Sequence, residues 1–347
     1  MNSEVKKIVR FDVWYHPVMA QTLEASADAV LQTVPRDQAP ALIMQALRSC
    51  QVYQVPSARD ELPPAWHVTE RLLNQLPNLL CVSTNGAGYD TVDVDACTRA
   101  GVLVVNQSGA NAQSVAEATI GLMLDSARRI SESDRRLRRD RGFSREDLMG
   151  FELSGKTLGL VGIGEIGTRV ARIAQALGMR VIAHDPLLTS DQINQRGATG
   201  CELGALLQQS DVVSLHCPRL ASTLNMMNAT TFASMRKGAI FINTARGGLH
   251  DEAALHTALA CDHLGGAGID VWDEEPPALD HPLLGLDNVV GLYHTAGVTR
   301  EARLRMGLWA AEQILQVLRG EEGPRMVNPQ VFAAYRQRLQ ASNHSSA

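Results

Sequence analysis

The chain has 347 residues, which is too many to fold around one hydrophobic core of ordinary size, so its length predicts two domains. Hydrophobic residues make up 45% of the chain and charged residues 20%, proportions typical of a folded globular protein and not of a disordered or fibrous one. The formal net charge of −5 gives no basic excess with which to bind phosphate backbones, so we expect no nucleic-acid partner.

The first third of the chain alternates between short β-rich runs and helical patterns. The β-rich runs are residues 8–14, 50–55, 79–84 and 102–106. This alternation is typical of a small α/β domain with a parallel sheet.

A helix is predicted next, over residues 111–130. Ser114 and Glu117 have the Ser-x-x-Glu spacing of a capping box, which would give them a structural role at the start of that helix. Eight arginines follow between Arg128 and Arg145, with acidic residues interleaved. Such a mixed pattern predicts a solvated helix or one that contacts another subunit.

Residues 157–185 carry the most informative pattern of the chain: an apolar strand, three glycines, a helix, a second strand and Asp185. Gly162 allows a tight turn, Gly164 lets the backbone approach a pyrophosphate, and Gly167 lets the helix pack against the strand. Asp185 is placed to bind the ribose hydroxyls, and its charge disfavours a 2′-phosphate. The pattern therefore predicts a dinucleotide site that prefers NAD to NADP.

The second half of the chain predicts a complete dinucleotide-binding sheet of six parallel strands, at 158–162, 180–184, 211–216, 238–243, 266–271 and 288–292. A helix at 301–319 has no place in that sheet and is expected to pack on the first domain. The fold class is therefore α/β with two parallel-sheet domains, Rossmann-like or flavodoxin-like. Residues 109–297 would form an NAD-binding Rossmann domain inserted into a domain made of residues 1–108 and 298–347.

Three polar residues follow late strands of this sheet, at the edge where open α/β sheets bind ligands: Arg246, Glu275 and His294. Hydride attack on a carbonyl places negative charge on its oxygen, which then needs a proton and a nearby cation. His294 would exchange the proton, and Glu275 would orient its ring and raise its pKa. Arg246 would clamp a substrate carboxylate with its planar guanidinium. Together the three residues predict interconversion of a 2-oxo acid and a 2-hydroxy acid.

Each of these residues taken alone has a structural interpretation as well. Arg246 precedes two glycines and could cap a turn, Glu275 could be an ordinary loop acid, and His294 could be a structural histidine. Other chemistries find little support. His216, His250 and His281 lack metal-ligand spacing, so we expect no metal, and no G-x-S-x-G elbow for a hydrolase occurs.

The chain resembles the D-isomer-specific 2-hydroxyacid dehydrogenases, a family that includes D-lactate, glycerate and phosphoglycerate dehydrogenases. The similarity covers most of the chain and is carried by segments 83–109, 114–118, 152–167, 211–218, 235–248, 266–277 and 288–297. It implies that Arg246 binds the substrate carboxylate and carbonyl, that His294 is the proton donor or acceptor, and that Glu275 is its partner. The domain of 1–108 and 298–347 would then be the substrate-binding, catalytic domain.

The resemblance also implies the lining of the cofactor cleft. Besides the glycine loop and Asp185, the residues expected there are Glu165, Ile166, His216, Cys217, Pro218, Thr244, Ala245, Arg246, Asp270, His294 and Gly297. Asp270 is expected at the nicotinamide carboxamide, and the backbone of Gly86, Ala87 and Gly88 at the substrate carboxylate. Family members dimerise through the nucleotide domain, so the resemblance implies a homodimer.

Departures from the family pattern bear on the substrate. Tyr293 stands where proline usually precedes the catalytic histidine, while Ser108 and Phe143 replace a common proline and tryptophan. Glu275, in place of the glutamine of the family's formate dehydrogenases, argues against formate. Phosphoglycerate is one candidate substrate, because Arg59 is near where phosphate-binding arginines of such enzymes lie. The chain ends soon after helix 301–319, so we expect no serine-sensing regulatory domain.

An alternative function on the same fold is a redox-sensing corepressor, in which NAD binding closes a dimer that recruits partners. The three polar residues do not exclude it, whereas the short flanks of the chain disfavour it. No stretch of about 18 apolar residues occurs, so we expect no membrane association. The N-terminus lacks a signal-peptide pattern, and the six cysteines form no C-x-x-C pair, so we expect reduced thiols in a cytoplasmic protein.

Overall fold

The structure, a computed structural model, describes residues 5–344. The first four and last three residues, which the sequence assigns to the substrate-binding domain, lie outside that range. The chain divides into two compact units, which are described separately below. The first unit consists of Met1–Asn111 and Thr299–Ala347, and the second of Ala112–Val298.

The first unit contains a five-stranded parallel sheet in the order β2-β1-β3-β4-β5. Its strands are β1 (Lys6–Phe11), β2 (Ala29–Val34), β3 (Val52–Val55), β4 (Cys81–Thr84) and β5 (Leu103–Val105). Its helices are α1 (Val18–Glu24), α2 (Pro40–Arg48), α3 (Glu70–Leu73), α4 (Val94–Arg99), α12 (Arg300–Leu318) and α13 (Phe332–His344). The strand order is that of flavodoxin-like folds.

Both faces of this sheet are covered. Val9, Tyr53 and Val82 face a core completed by α2, α3 and α4. Ile8 and Cys81 point to the opposite face, together with residues of α1, α12 and α13. Helix α12 therefore packs in the first unit, as its apolar spacing predicts.

The second unit contains a seven-stranded parallel sheet in the order β12-β11-β10-β9-β6-β7-β8. Its strands are β6 (Thr157–Val161), β7 (Arg180–His184), β8 (Thr199–Gly200), β9 (Val212–Leu215), β10 (Ile240–Asn243), β11 (Gly266–Ile269) and β12 (Val289–Gly291). Its helices are α5 (Ala112–Arg128), α6 (Ile130–Arg139), α7 (Glu165–Ala176), α8 (Ser190–Gln195), α9 (Leu203–Gln209), α10 (Ala229–Ser234) and α11 (Glu252–Ala260). Short 3₁₀ turns lie at Pro64–Trp66, Glu146–Leu148, Pro282–Gly285 and Pro329–Val331.

This sheet is a Rossmann sheet, with strand order reversing between β6 and β9. Residues of β6, β9 and β10 are buried on both faces, one toward α5 and α7 and the other toward α9, α10 and α11. Parallel strands buried in this way are near-continuous apolar runs, which is why the sequence predicts them well.

Three sequence expectations are wrong. The second sheet has seven strands and not six, because the two-residue β8 pairs with the edge of β7. The sequence predicts only helical patterns between residues 14 and 50, where the structure has strand β2. This strand lies at the sheet edge, and its four central residues are exposed or partly exposed, so they form no apolar run. Ser114 is the third residue of α5 and is buried, so it does not cap the helix, and Glu117 accepts a hydrogen bond from Gln113 instead.

None of the helices between residues 5 and 344 combines the length and the apolar character needed to cross a bilayer.

Candidate active site in the second unit

The glycine loop joins β6 to α7 and is shaped by its three glycines. Gly162 has a φ of 90°, in the region that favours glycine, and a Cβ there would lie 2.7 Å from the carbonyl oxygen of His216. A Cβ on Gly167 would lie 2.5 Å from the carbonyl oxygen of Gly162. These two glycines are therefore required by the packing of the loop itself.

Gly164 differs from both. It is the N-cap of α7, and no heavy atom lies within 4 Å of the position a Cβ would take. Open space beside the N-terminus of a twelve-residue helix, where backbone N–H groups are unpaired, suits a pyrophosphate. Glu165 and Ile166 are the first two residues of the helix and follow directly.

Asp185 follows β7 and is tied to the glycine loop. Its Oδ2 accepts a hydrogen bond of 3.1 Å from the Ile163 N–H, and its Oδ1 accepts one of 3.1 Å from the Leu187 N–H. The carboxylate therefore stands at the end of β7 in a fixed orientation. This is the place at which Rossmann folds bind the ribose hydroxyls of NAD.

Residues His216, Cys217 and Pro218 follow β9 on the other side of the glycine loop. The His216 ring shares a 2.9 Å hydrogen bond with Ser214 Oγ, and its Nδ1 is buried without a partner among the described residues. Burial lowers the pKa of His216 to about 3, so the ring is neutral. Burial raises the pKa of Cys217 to about 11, so its thiol is protonated at neutral pH.

Arg246 is presented by a turn after β10 that Asn243 organises. The Asn243 amide donates to the Arg246 carbonyl oxygen at 2.9 Å, and its oxygen accepts from the Ala245 N–H at 3.0 Å. Arg246 Nη1 donates to the Ala245 carbonyl oxygen at 2.7 Å. The Thr244 hydroxyl shares a 2.8 Å hydrogen bond with that of Thr119, which connects the turn to helix α5.

His294 and Glu275 form a hydrogen-bonded pair, with 2.8 Å between His294 Nδ1 and Glu275 Oε2. The other carboxylate oxygen of Glu275 accepts from the Trp272 N–H at 3.0 Å. His294 has a φ of 48° and donates its own N–H to the Asp270 carbonyl oxygen at 2.7 Å. Ring and carboxylate are thus both oriented by the backbone around them.

Each group of this pair stabilises the charged form of the other. Burial lowers the pKa of His294, but the hydrogen bond and charge of Glu275 outweigh burial and hold that pKa above its ordinary value. Burial raises the pKa of Glu275, and the hydrogen bond and charge of His294 overcome it, so the carboxyl pKa is lowered. The positive charge of Arg246 lowers the pKa of both groups, so Arg246 lies within electrostatic reach of the pair.

Asp270 is buried at the end of β11 and holds the turn after His294. Its carboxylate accepts hydrogen bonds from the Thr295 N–H at 2.8 Å and from the Ala296 N–H at 3.1 Å. Burial raises the pKa of Asp270, against the opposing charge of His294. Both carboxylate oxygens of Asp270 accept hydrogen bonds from the backbone of this turn. The contact of Asp270 with the nicotinamide stays a prediction.

Sequence reasoning missed the residues that join the Arg246 turn to the Glu275 loop. The N–H of Gly248 donates to Asp273 Oδ1 at 2.7 Å, the N–H of Asp273 donates to Glu252 Oε1 at 2.9 Å, and Glu252 Oε2 lies 3.0 Å from His281 Nε2. A Cβ on Gly247 would lie 1.9 Å from the Trp272 carbonyl oxygen. In the sequence, the carboxylate-rich run at 273–275 is the one feature that could have indicated these hydrogen bonds.

Ala87 and Gly88, predicted to bind the substrate carboxylate, lie in the first unit on the loop after β4. Asn106 Nδ2 donates to the Ala87 carbonyl oxygen at 2.8 Å. Arg59, considered for phosphate binding, donates from Nε to the Asp90 carbonyl oxygen at 3.0 Å. No cluster of three potential metal ligands occurs within residues 5–344.

A Rossmann sheet with an acidic residue after the strand that follows its glycine loop, and a histidine–carboxylate pair after late strands, is typical of NAD-dependent dehydrogenases. Residues 120–296 match the family model described as "D-isomer specific 2-hydroxyacid dehydrogenase, NAD binding domain". The chain belongs to the D-isomer-specific 2-hydroxyacid dehydrogenase family, and its second unit contains the family's NAD-binding domain.

Similar proteins have related names. The D-3-phosphoglycerate dehydrogenase of Archaeoglobus fulgidus is 40% identical over 253 residues, 73% of this chain and 48% of that protein. The glyoxylate reductase of Aeropyrum pernix is 39% identical over 268 residues, 75% of this chain and 79% of that protein. The crystal structure of D-lactate dehydrogenase from Aquifex aeolicus with NAD and lactic acid has a TM-score of 0.80 at 27% identity, covering 92% of this chain and 98% of that one. The chain spans about half the length of the D-3-phosphoglycerate dehydrogenases that it matches.

Proposed function

We propose that this protein is an NAD-dependent D-2-hydroxyacid dehydrogenase that interconverts a 2-hydroxy acid and a 2-oxo acid. The observation that carries the proposal is the 2.8 Å pair of His294 and Glu275, with the charge of Arg246 acting on both. Such a set supplies a proton and a cation where a carbonyl oxygen gains negative charge.

The roles of the side chains follow from their contacts. Glu275 engages Nδ1 of His294, so the proton is exchanged at Nε2. Arg246 binds the substrate carboxylate, and its positive charge stabilises the developing oxyanion. The glycine loop and Asp185 would hold NAD, which when bound would supply a hydride acceptor for C2 of the hydroxy acid and, as NADH, a hydride donor for the oxo acid.

The residues present fit NAD. Open space at Gly164 admits the pyrophosphate, and the oriented carboxylate of Asp185 suits a ribose diol and not a 2′-phosphate. The partnerless Nδ1 of His216 offers a further buried polar contact. We assign to the cofactor surface the residues Gly162, Gly164, Glu165, Ile166, Gly167, Asp185, His216, Cys217, Pro218, Thr244, Ala245, Arg246, Asp270, His294 and Gly297.

The second unit then supplies the cofactor domain, and the first unit the substrate-binding domain through Ala87 and Gly88. Phosphoglycerate and glyoxylate are candidate substrates, since relatives of this chain are named for them. We also propose a homodimer. It is supported by two large apolar residues on α6, Ile130 and Leu137, which are 55% and 64% exposed in the single chain and would be covered at a subunit contact. All six cysteines are free, which suits a reducing cytoplasm.

The proposal is tested by following NADH absorbance with a panel of 2-oxo acids: glyoxylate, pyruvate, hydroxypyruvate, phosphohydroxypyruvate and bulkier acids. His294→Asn is the decisive variant, because asparagine tolerates the left-handed backbone at this position. We expect it to bind NADH like the wild type and to lose at least about a hundredfold in kcat, within the range ascribed to one general acid–base group. Retained turnover would refute the mechanism, and tight NADH binding by a wild type without turnover would favour the corepressor function.

A further inference from the structure

His250 is a fully buried histidine of the second unit that the proposed chemistry leaves without a role. It lies four residues after Arg246, and its relative exposure is 0%. A polar ring in an apolar core destabilises a fold unless its nitrogens are paired, so a histidine at this place needs a physical reason.

The backbone on either side of His250 is held by one residue, Met227. The Met227 N–H donates to the Leu249 carbonyl oxygen at 3.1 Å, and the Asp251 N–H donates to the Met227 carbonyl oxygen at 2.8 Å. Asp251 is also the N-cap of α11. The His250 ring packs against Phe241, with 5.5 Å between the ring centroids. The side chain of His250 is therefore fixed at both its backbone and its ring.

One ring nitrogen of His250 contacts the amide of Asn243. The distance between His250 Nδ1 and Asn243 Nδ2 is 3.1 Å. The orientation of this amide is set by the Arg246 turn, because its nitrogen donates to the Arg246 carbonyl oxygen and its oxygen accepts from the Ala245 N–H. An amide nitrogen only donates, so His250 Nδ1 accepts and the ring carries its proton on Nε2.

The His250 ring is neutral at physiological pH. Burial lowers the pKa of His250 to about 4, against the charges of Glu252 and Asp251, which raise it. Its Nε2 is buried without a hydrogen-bond partner within residues 5–344. An apolar side chain would fill this space without that unpaired N–H, so core packing alone does not account for a histidine here. What the histidine adds is the acceptor at Nδ1.

That acceptor completes the hydrogen bonds of Asn243, which is itself fully buried. One amide proton of Asn243 goes to the Arg246 carbonyl oxygen and the other to His250, while the amide oxygen takes the Ala245 N–H. The carbonyl oxygen of Ala245 in turn accepts from Arg246 Nη1 at 2.7 Å. Without an acceptor at position 250 a buried amide proton loses its partner, which favours a displaced amide and with it a displaced turn and guanidinium.

We propose that His250 is a positioning residue: its Nδ1 holds the Asn243 amide and thereby the turn that presents Arg246 to the substrate. The inference rests on the proposed function, in which Arg246 binds the carboxylate of the oxo acid, and deepens it. Because His250 is completely buried, it acts through Asn243 and not by touching the substrate.

Two substitutions distinguish positioning from core packing. His250→Asn keeps an acceptor, because the Oδ1 atom of asparagine takes a place similar to that of histidine Nδ1, but its smaller side chain should lower Tm. His250→Leu fills the core with apolar atoms and has no acceptor. We expect kcat/KM for the oxo acid to fall by about two- to tenfold in His250→Leu, the factor that one hydrogen bond contributes, and to stay near the wild-type value in His250→Asn.

Core packing alone predicts the reverse order, with kcat/KM following Tm: unchanged in His250→Leu and reduced in His250→Asn. That result would overturn the inference. The matched control is His263→Leu in the same unit. His263 Nε2 lies 3.0 Å from the Phe232 carbonyl oxygen, so its loss should lower Tm and leave kcat/KM unchanged.

A double-mutant cycle tests whether the effect of His250 passes through Asn243. In an Asn243→Ala background, His250→Leu should change kcat/KM no further, since the amide that His250 holds is already absent. A second loss of the same size in the double variant would contradict the assigned contact.

Nitrogen-15 NMR of the full chain separates this inference from the dehydrogenase function. The Arg246 Nε–H signal, assigned with Arg246→Lys, should move in His250→Leu and stay in place in His250→Asn, and the His250 ring should show the shifts of the Nε2–H tautomer. Absence of turnover with every oxo acid refutes the dehydrogenase function, yet these two signatures still support the role of His250. Turnover with equal kcat/KM in the wild type and His250→Leu overturns the inference and leaves the dehydrogenase function intact.

Discussion

Glu275→Gln isolates the contribution of the carboxylate charge to His294. The substitution keeps the shape of the side chain and removes the charge 2.8 Å from Nδ1. A hydrogen bond to a charged group contributes about 1.5–3 kcal/mol, which corresponds to about one to two pKa units at about 1.4 kcal/mol per unit. The His294 side chain is 35% exposed, so solvent screens the pair and we expect a free-energy change at the lower end of that range, with the pKa of His294 lowered by the substitution.

The sign of the effect differs between reaction directions. Reduction of the oxo acid needs protonated His294, so in Glu275→Gln its kcat/KM should decline on the alkaline side at a lower pH than in the wild type. Oxidation of the hydroxy acid needs the neutral ring and should persist to a lower pH. Profiles of kcat/KM between pH 5 and 9 in both directions measure this, with Glu274→Gln, an exposed neighbour, as the matched control. Identical profiles for Glu275→Gln and the wild type would refute the assigned pairing.

Three further predictions concern the cofactor and the fold. Gly164→Ala should keep the wild-type Tm and bind NADH more weakly in a fluorescence titration, whereas Gly167→Ala should lower Tm. The reason is that only a Cβ on Gly167 meets protein atoms, and equal losses of Tm in the two variants would contradict it. Asp185→Ser should raise the KM for NADH more than that for NADPH, and an unchanged ratio of the two would remove Asp185 from the ribose site. Asn328→Ala should lower the free energy of unfolding, measured in urea, by about 2–4 kcal/mol, because the fully buried Asn328 Oδ1 accepts from the Val104 N–H at 2.8 Å. A loss below about 1 kcal/mol would show that water replaces this bond.

The sequence predicted the central strands of both sheets because those strands are buried on both faces and read as unbroken apolar runs. It did not predict β2 or β8, whose short or half-exposed runs lie at sheet edges and carry too little apolar character. It also assigned a capping box to Ser114 from spacing alone, although the helix begins two residues earlier. Local patterns place an element well and its ends poorly.

The candidate site divides in the same way. The glycine fingerprint and Asp185 are local in sequence, since one strand, one turn and one helix position them. Arg246, Glu275 and His294 are far apart along the chain, and their order after successive strands predicted their meeting only because parallel strands end at one edge. The hydrogen bonds from Gly248 through Asp273 and Glu252 to His281 were not predicted, since two of the three use backbone N–H donors and the carboxylates at 273–275 are the one hint of them in the sequence.

By itself the sequence determined the fold class, the dinucleotide fingerprint and the three residues assigned to the chemistry, because each rests on periodicity or on spacing within a repeating βα unit. Only the tertiary structure decided which polar atoms are paired. Buried side-chain atoms of Gln54, Ser83 and Tyr15 that have no partner within residues 5–344 come from three separate segments, and their lack of partners depends on side-chain packing across strands and helices. Pairing of that kind is set by distances of a few tenths of an ångström, which no pattern of residues along the chain records.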